Sequence, residues 1–373
     1  MKYYLIAGEA SGDLHGSNLL KGLKEVDPGA HFRFWGGDRM QEQGGELVKH
    51  YRDHAIMGFW EVVVNLGQIK RNFRLCRKDL LQYNPDVLIL IDYPGFNLRM
   101  AAFARKHGIR VYYYISPKIW AWKESRIKKI KARVDQMFII FPFEKDFYHK
   151  HDFPVVYEGN PLIDAVDRKL TNKFPYREFL AREGLDDKPI VAILPGSRKQ
   201  EIDRNLGVMI RVIRHFPDHQ FVIAGAPSID RQYYRQYLDV PNLTFVHDRT
   251  YELLSHAQAA IITSGTATLE AALFNVPQVV CYKASPVSYH IARHRVKVPY
   301  ISLVNLNMNR EVVKELIQDQ MNEPALYEEV RRLLYDGDYK AKMQEDYDAL
   351  RKMLGGSGAS RRVAAAMVEK LRN

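Results

Sequence analysis

The residues with the clearest chemistry lie in a short turn between an apolar strand and a helix, at positions 261–270. The turn is Ser264-Gly265-Thr266, whose small side chains let a phosphate approach the backbone N–H groups. The helix expected to begin just after it points the positive end of its dipole at the same place. Glu270 would lie one turn further on, where a carboxylate repels phosphate but accepts hydrogen bonds from the hydroxyls of a ribose. The spacing therefore predicts a pyrophosphate at the turn and a sugar beyond it.

A second turn of this kind occurs earlier in the chain. The predicted strand 190–194 runs into Pro195-Gly196-Ser197-Arg198, which places the cation of Arg198 at the carboxyl end of a strand, where open α/β sheets bind ligands. Such turns also serve simply to connect strands and helices, so either one alone is weak evidence for a site. The pair, with an arginine and a glutamate at suitable positions, favours binding of a nucleotide-activated group. No G-x-x-x-x-G-K-[ST] motif occurs, so nothing indicates ATP hydrolysis.

The amino-terminal half offers carboxylates at strand ends. Asp92 follows an apolar strand and precedes a Pro-Gly turn. A carboxylate at the end of a central strand points into the ligand crevice, which makes Asp92 a candidate general base, although Asp also commonly caps such turns. The loop at 8–13 follows the first strand but does not match the dinucleotide fingerprint G-x-G-x-x-G. Its Asp13 is expected to cap a helix that starts near Leu14.

Length and composition restrict the class of protein. A chain of 373 residues predicts two domains, and 46% hydrophobic with 27% charged residues is typical of a soluble globular protein. Cys76 and Cys281 are far apart and indicate neither a disulfide framework nor a zinc site. The chain starts directly with a strand, without a signal-peptide pattern, and no apolar run reaches the ~18 residues of a membrane span. We therefore expect an intracellular protein.

The net charge of +11 is concentrated in two stretches. Residues 118–133 carry seven basic residues and one acidic residue, and residues 70–78 carry five basic residues and no acidic one. Nucleic acid, an anionic membrane surface or a phosphorylated substrate would each fit such stretches, and a merely solvated helix face is the alternative. The apolar segment 56–66 directly precedes the second stretch. That combination is typical of an interfacial membrane helix, and also of a core helix with a solvated end.

Two successive runs of alternating strands and helices predict an α/β fold with two Rossmann-like parallel-sheet domains that face each other across a cleft. The predicted strands of the first run are 3–7, 31–35, 86–91, 110–115, 136–141 and 155–157. Those of the second run are 190–194, 220–224, 243–246, 259–263, 278–282 and 301–304, after a linker at 167–175. From residue 311 the pattern is helical to the end. The predicted domains are 1–166 and 175–340, with helices in 341–373 that can pack back on the first domain.

Several segments, in order over nearly the whole chain, match a known family. The most specific are Ala7-Gly8-Glu9-Ala10-Ser11-Gly12-Asp13 and Trp120-Ala121-Trp122. Further matches are Met57-Gly58 with Glu61-Val62, Ile91-Asp92 with Pro94 and Phe96-Asn97, Ser116-Pro117, Pro142-Phe143-Glu144-Lys145 with Phe147-Tyr148, Leu194 to Arg198, Ser264 to Ala267 with Leu269-Glu270, and Arg310-Glu311 with Lys314-Glu315-Leu316. The sequence resembles the lipid-A-disaccharide synthases, glycosyltransferases of the GT-B fold.

The resemblance implies transfer of 2,3-diacylglucosamine from its UDP form to 2,3-diacylglucosamine 1-phosphate. The products would be a β-1,6-linked disaccharide, formed with inversion, and UDP, without a metal or other cofactor. Some members carry a second carboxylate three residues after the position of Asp92, where this chain has Gly95. The candidates for the base are therefore Asp92, Glu9 and Asp13, in that order. The residues implied in UDP binding are Arg198, Ser264, Gly265, Thr266, Glu270 and Asn305.

The resemblance also implies a peripheral enzyme on the cytoplasmic face of the inner membrane, with lipid substrates and no nucleic-acid partner. The residues expected to face the membrane are Met57, Phe59, Trp60 and Val63, and those expected to bind the acceptor phosphate are Lys118, Lys123 and Arg126. A homodimer is left open. The alternatives are a UDP-sugar 2-epimerase, which shares the fold but needs no acceptor, and a membrane-attached nucleotide-sugar sensor without catalysis.

Overall fold

The computed structural model of the protein describes residues 1–53, 66–172, 174–285, 289–290 and 298–373. The chain forms two compact units. The first unit comprises Met1–Pro161 and Gly355–Asn373, and the second comprises Leu162–Leu354. Each unit is built around one parallel β-sheet with helices between its strands.

The sheet of the first unit has seven parallel strands in the order β3-β2-β1-β4-β5-β6-β7. They are β1 (Lys2–Ala7), β2 (His31–Gly36), β3 (Glu46–His50), β4 (Val87–Ile91), β5 (Arg110–Tyr114), β6 (Gln136–Ile139) and β7 (Val155–Tyr157). The edge strand β3 is absent from the sequence prediction because its five residues are half-buried or exposed and carry no apolar run.

The helices of this unit cover the two faces of its sheet. They are α1 (Ala10–Val26), α2 (Asp38–Glu42), α3 (Leu66–Tyr83), α4 (Pro94–Lys106), α5 (Ile119–Trp122), α6 (Ile127–Arg133) and α7 (Glu144–His149), with 3-10 turns at Tyr51–Asp53 and Glu124–Arg126. Helix α1 begins at Ala10, four residues before the predicted start.

The sheet of the second unit has six parallel strands in the order β10-β9-β8-β11-β12-β13. They are β8 (Ile190–Leu194), β9 (Gln220–Gly225), β10 (Leu243–His247), β11 (Ala257–Thr263), β12 (Gln278–Tyr282) and β13 (Lys314–Ile317). The predicted strand 301–304 is wrong, because Ser302 accepts a hydrogen bond from the Asn305 N–H at 3.1 Å and starts a helix there. The sixth strand is β13, in a region predicted to be helical.

The helices of the second unit alternate with these strands and continue after β13. They are α8 (Leu162–Thr171), α9 (Tyr176–Glu183), α10 (Lys199–Met209), α11 (Arg231–Tyr234), α12 (Thr250–Leu254), α13 (Thr266–Leu273), α14 (Leu303–Met308), α15 (Glu323–Tyr335) and α16 (Gly337–Leu354), with 3-10 turns at Ile210–His215, Arg235–Tyr237 and Gln318–Gln320.

The central strands are buried on both faces, as parallel strands covered by helices require. Strands β4 and β8, with the sequences VLILI and IVAIL, are buried at every position. In each sheet the strand order reverses beside the first strand of the unit, between β1 and β4 and between β8 and β11. Such switch points open a crevice at the carboxyl ends of the strands, where α/β proteins bind ligands.

The last helix, α17 (Ala359–Arg372), returns to the first unit and packs along α1. The approach is close at Gly22, where an added Cβ would lie 2.9 Å from the Ser360 carbonyl oxygen and 3.1 Å from the Ala364 methyl group. The preceding helix α16 belongs to the second unit, so the predicted C-terminal segment 341–373 is divided between the two units. None of the helices in the described ranges has the length and apolar character needed to cross a bilayer.

Candidate active site

The switch point of the first sheet brings three loops to one edge. Ala7 at the end of β1 is paired with Ile91 at the end of β4, and Ile91 is in turn paired with Tyr114 at the end of β5. The loops that follow these strands therefore start side by side. They carry three residues that the sequence singled out: Glu9, Asp92 and Lys118.

The backbone at Asp92 is held in an uncommon conformation. Asp92 and Tyr93 are both left-handed, with φ of 43° and 46°. The Asp92 N–H donates to the Tyr114 carbonyl at 3.1 Å, and the Asp92 carbonyl accepts from the Asn97 side-chain amide at 2.8 Å. Residues other than glycine pay about 1–3 kcal/mol for such a conformation, and it persists only where the surroundings enforce it. The fold therefore fixes the backbone from which the Asp92 side chain projects.

Gly8 contributes to this constraint from the neighbouring loop. A Cβ at this position would lie 2.3 Å from the Tyr93 ring, well inside contact distance. Only a glycine lets the ring of Tyr93 pack over the end of β1. The glycine of the first loop and the left-handed turn after β4 are thus two parts of one arrangement.

The environment of Asp92 suits a general base. Loss of hydration on burial raises its pKa to about 6, and the negative charge of Glu9 adds to the rise. The positive charge of Lys118 opposes it. A base works best when its pKa lies near the operating pH, because it is then both ionised and basic enough to take a proton. Glu9 therefore acts on Asp92 as a nearby charge, in addition to being a candidate base itself.

Asp13 has a structural environment. It is buried, at 3% exposure, and its carboxylate accepts hydrogen bonds from the backbone N–H groups of Gly37, Arg39 and Met40 at 2.7–3.1 Å. These groups belong to the start of α2, so Asp13 caps that helix. The prediction that Asp13 caps the helix starting near Leu14 is therefore wrong, since that helix begins at Ala10 and Asp13 lies inside it. Because its carboxylate is engaged by three backbone donors within the protein, Asp13 is placed last among the candidates.

The basic segment after β5 lies at the same edge of the sheet. Lys118 is exposed, and Lys123 and Arg126 are half-buried. The charge of Lys118 reaches Asp92, and that of Arg126 reaches the Tyr113 hydroxyl, which itself donates to the Asp92 carbonyl. Two of the predicted phosphate-binding cations therefore lie near the candidate base. The four residues predicted to face the membrane, Met57, Phe59, Trp60 and Val63, lie outside the described residues.

The switch point of the second sheet brings the other two predicted turns together. Leu194 at the end of β8 is paired with Ile262, one residue before the end of β11. Within the second turn, the Ser264 hydroxyl donates to the Ile301 carbonyl at 2.8 Å, and the Thr268 hydroxyl donates to the Gly265 carbonyl at 2.9 Å. The first bond ties the turn to the residues before α14, and the second ties it to the first turn of α13.

The entrance of α13 is open. Gly265 has extended backbone, and among the described residues a Cβ added there would meet only the Thr263 carbonyl oxygen, at 4.0 Å. Thr266, the first residue of the helix, is exposed. The first N–H groups of an α-helix have no partners within it and carry its partial positive charge. The turn thus presents backbone donors to a ligand without a side chain in the way.

Arg198 lies just before α10, with 63% of its side chain exposed. One guanidinium nitrogen is 3.7 Å from a carboxylate oxygen of Glu201, whose other oxygen accepts from the Ser197 N–H at 3.0 Å. An exposed pair of this kind contributes about 0–1 kcal/mol, so a bound anion can displace it at small cost. Gly196 makes the turn possible, with φ of 116° and a Cβ position only 2.7 Å from the Glu201 side chain.

Glu270 lies within the first turns of α13 and is half-buried. Burial raises its pKa, while the hydrogen bond that it accepts from the Tyr251 hydroxyl at 3.0 Å lowers it. The side chain is therefore held in one orientation near the entrance of the helix, as a residue that recognises a sugar diol would be.

Asn305 does not have the environment predicted for a nucleotide ligand. Its side chain is 0% exposed. The amide NH2 donates to the Val313 carbonyl at 2.8 Å and to Glu315 at 2.9 Å, and the amide oxygen accepts from the N–H groups of Val312 and Val313 at 2.8 and 3.0 Å. All its bonding capacity is used within the protein. Asn305 instead fixes the start of α14 against the segment before β13.

The structure also reveals a residue that reasoning from the sequence left without a role. Glu144 at the start of α7 is 1% exposed, and burial raises its pKa to about 7. The only sequence signal was its place in a family-like segment between two phenylalanines, Phe143 and Phe147. Within the described parts of the chain, no group of three or more His, Cys, Asp or Glu side chains is placed to hold a metal ion.

Comparison with known proteins identifies the family. The family model for lipid-A-disaccharide synthetase matches residues 3–369. The chain belongs to this family. Lipid-A-disaccharide synthase of Trichlorobacter lovleyi is 40% identical over 98% of this chain and 97% of its own length, and that of Geobacter sulfurreducens is 38% identical over 98% and 96%. The expected family and the expected activity, glycosyl transfer in lipid A biosynthesis, are confirmed.

Solved structures of low sequence identity confirm the fold class. UDP-GlcNAc 2-epimerase from Neisseria meningitidis, bound to UDP-GlcNAc, has a TM-score of 0.66 at 13% identity and covers 99% of this chain and 100% of its own. The calicheamicin glycosyltransferase has a TM-score of 0.60 at 15% identity, with 99% and 98% covered. The two parallel sheets with a helical C-terminus are thus those of GT-B-like proteins. At such identities the likeness concerns the fold alone, and family membership distinguishes the transferase from the epimerase.

Proposed function

We propose that this member of the lipid-A-disaccharide synthetase family transfers 2,3-diacylglucosamine from UDP-2,3-diacylglucosamine to 2,3-diacylglucosamine 1-phosphate. The observation that carries the proposal is the carboxyl group of Asp92, which projects from a constrained turn at the switch point of the first sheet and whose pKa burial raises to about 6. Transfer requires a base for the attacking hydroxyl and a stabiliser for the departing diphosphate. The first unit offers the base, and the second offers the stabiliser of the diphosphate.

In the reaction, the oxygen of the acceptor's 6-hydroxyl bonds to C1 of the donor sugar, and Asp92 takes the proton of that hydroxyl. The bond from C1 to the diphosphate oxygen breaks, and UDP leaves with that electron pair. Attack opposite the leaving group inverts C1 and gives the β-1,6 linkage. Glu9 increases the basicity of Asp92 through its charge. Lys118, with Lys123 and Arg126, supplies the positive charge that the acceptor phosphate needs.

The second unit is assigned the UDP moiety. The backbone N–H groups of Gly265 and Thr266 bind the diphosphate at the N-terminus of α13, since the Ser264 N–H already donates to the Cys281 carbonyl at 3.2 Å. Arg198 neutralises the charge that develops on the diphosphate. Glu270 accepts hydrogen bonds from the ribose hydroxyls. Asn305 is assigned a positioning role only, since its amide is fully engaged.

A membrane surface is the proposed place of action. Helix α3 exposes Lys70, Arg71, Arg74, Arg77 and Lys78, together with Leu75 at 42% and Leu81 at 44% exposure. Basic and apolar side chains on one helix favour an anionic lipid interface. This supports, for the residues that can be described, the predicted peripheral location on the cytoplasmic face of the inner membrane. Membrane contact by four residues stays a prediction: Met57, Phe59, Trp60 and Val63. A homodimer stays open.

A direct assay with the two acylated glucosamines tests the proposal. We expect disaccharide and UDP to form in equal amounts only when donor and acceptor are both present. Release of a 2-epimer from the donor alone would instead make the protein an epimerase. Phe59→Ser with Trp60→Ser should weaken liposome binding and leave UDP affinity unchanged, whereas equal loss of both would place these side chains in the core.

A further inference from the structure

Helix α7 (Glu144–His149) carries two ionisable side chains that are buried in the first unit. Glu144 is 1% exposed and Tyr148 is 0% exposed. They are four residues apart, about one helical turn, so both lie on the same face of the helix. That face contacts residues 116–120, the first part of the basic segment after β5.

Tyr148 holds the beginning of this segment. Its hydroxyl is 2.5 Å from the hydroxyl of Ser116, which is itself buried at 5% exposure. The Ser116 hydroxyl also donates to the Pro117 carbonyl at 3.0 Å. Either hydroxyl can be the donor in the bond between Ser116 and Tyr148. This bond fixes the point at which the segment leaves β5.

Glu144 holds the segment four residues later. One carboxylate oxygen accepts from the indole N–H of Trp120 at 3.1 Å, and the other accepts from the Phe141 N–H at 3.1 Å. The Trp120 ring also packs edge-on against Phe143, with centroids 4.8 Å apart at 86°. Glu144 thus joins α5 to the loop between β6 and α7.

Lys118 stands midway between these two attachment points. Its side chain is exposed, and its charge acts on the Asp92 carboxyl group. The residue before the segment, Ile115, has a left-handed φ of 64°, which is rare for a β-branched side chain. Its N–H donates to the Phe138 carbonyl at 3.0 Å. The path of the chain on both sides of Lys118 is therefore imposed by its neighbours.

We propose that Glu144 and Tyr148 are positioning residues that hold Lys118 where it meets the phosphate of the acceptor. This inference rests on the role proposed above for Lys118. Neither residue touches the substrate; each acts through the segment between Ser116 and Trp120.

A role in filling the core does not account for Glu144. Burying a carboxyl group costs free energy that an apolar side chain of similar size avoids. Burial accordingly raises the pKa of Glu144, and the hydrogen bonds from Phe141 and Trp120 oppose the rise. What the carboxylate supplies at this place is an acceptor for the Trp120 indole.

Steady-state kinetics of Tyr148→Phe and Glu144→Gln test the inference, with acceptors that carry or lack the 1-phosphate. We expect the KM for the phosphorylated acceptor to rise about threefold to tenfold, the size of one lost hydrogen bond. The KM for the UDP donor should stay within about twofold, as should the rate with the unphosphorylated acceptor. Equal changes with both acceptors would mean a general structural defect and would overturn the inference.

A double-mutant cycle with Lys118→Ala separates this inference from the proposed function. If Lys118→Ala raises the acceptor KM and Tyr148→Phe adds nothing in that background, the two residues act through Lys118. If the fold-changes in acceptor KM from Lys118→Ala and Tyr148→Phe multiply in the double variant, the positioning role is overturned and the role of Lys118 in phosphate binding stays. If Lys118→Ala keeps the wild-type KM for the acceptor, Lys118 does not bind the acceptor phosphate, and the positioning role of Glu144 and Tyr148 is contradicted too.

Matched controls come from the second unit. Glu329 is a buried glutamate that accepts from the Tyr339 hydroxyl, and Tyr347 is a buried tyrosine bonded to the Gln278 amide. Glu329→Gln and Tyr347→Phe should lower the melting temperature without changing the acceptor KM. An equal KM change in these controls would overturn the inference. Should Glu144→Gln fail to fold, Tyr148→Phe, which removes one oxygen, carries the test.

Discussion

The two switch points of this protein share a topology and differ in construction. At the first, between β1 and β4, Asp92 and Tyr93 form a left-handed turn, and burial raises the pKa of the Asp92 carboxyl group. At the second, between β8 and β11, the backbone N–H groups of Gly265 and Thr266 stay accessible at the start of α13, within the described residues. Proton transfer needs one group fixed and partly dehydrated, whereas binding of a diphosphate needs open donors. The same α/β topology thus provides a constrained carboxyl group or open backbone donors, depending on the loop that follows the strand.

The largest effect should come from removing the base. Asp92→Asn keeps the size and the backbone of the site but cannot take a proton, so kcat should fall about 10²–10⁴-fold. The affinity for UDP, measured by calorimetry, should stay unchanged because the diphosphate site is proposed in the other unit. An unchanged kcat would indicate a sensor or a different base.

A smaller loss is expected on the binding side. Arg198→Ala removes the cation that we propose pairs with the diphosphate, and a hydrogen bond to a charged group is worth about 1.5–3 kcal/mol. UDP affinity should therefore fall by about tenfold to a hundredfold. The acid limb of the pH profile, which reports the base, should stay where it is. A shift of that limb would contradict the separation of the two roles.

Two glycine substitutions compare the switch points directly. Gly8→Ala pushes a methyl group into the Tyr93 ring, so it should lower the free energy of unfolding by about 1–3 kcal/mol and reduce kcat. Gly265→Ala meets open space and should leave the melting temperature unchanged, while UDP binding weakens because the methyl group stands at the phosphate. Thermal melts and UDP titrations of both variants check this. The reverse pattern would show that the constrained site is the second one.

The smallest effect concerns pH. Asp92 must be ionised to act, so kcat/KM should fall as the pH drops through about 6, the value to which its pKa is raised. Glu9→Gln removes a negative charge that contributes to that rise, and the acid limb should move to lower pH by less than about one unit. A limb that moves to higher pH in Glu9→Gln would contradict the assignment.

The parts of the fold that could be predicted are those whose pattern is local. Strands such as β4 and β8 are continuous apolar runs, which parallel sheets require, and small-residue turns follow them. The stretch at 301–304, Ile-Ser-Leu-Val, is also largely apolar, but a helix begins at Leu303 because Ser302 caps it. Short apolar runs do not distinguish the two structures.

The site was predictable to the extent that a residue's place at a strand end determines its role. Asp92 and Arg198 follow strands directly, so their positions could be inferred. Asn305 could not, because an asparagine amide looks the same in sequence whether it binds a ligand or the protein backbone. The partner of Glu144 is Trp120, 24 residues earlier, a contact that only the assembled sheet creates.

Amide hydrogen exchange with and without UDP tests the central claim most directly, namely that the second unit binds the nucleotide and the first supplies the base. The account predicts that UDP slows exchange in the turns at residues 196–198 and 264–268 and leaves residues 8–13 and 92–97 unaffected. Protection of the loops after β1 and β4, with none at the start of α13, would contradict it.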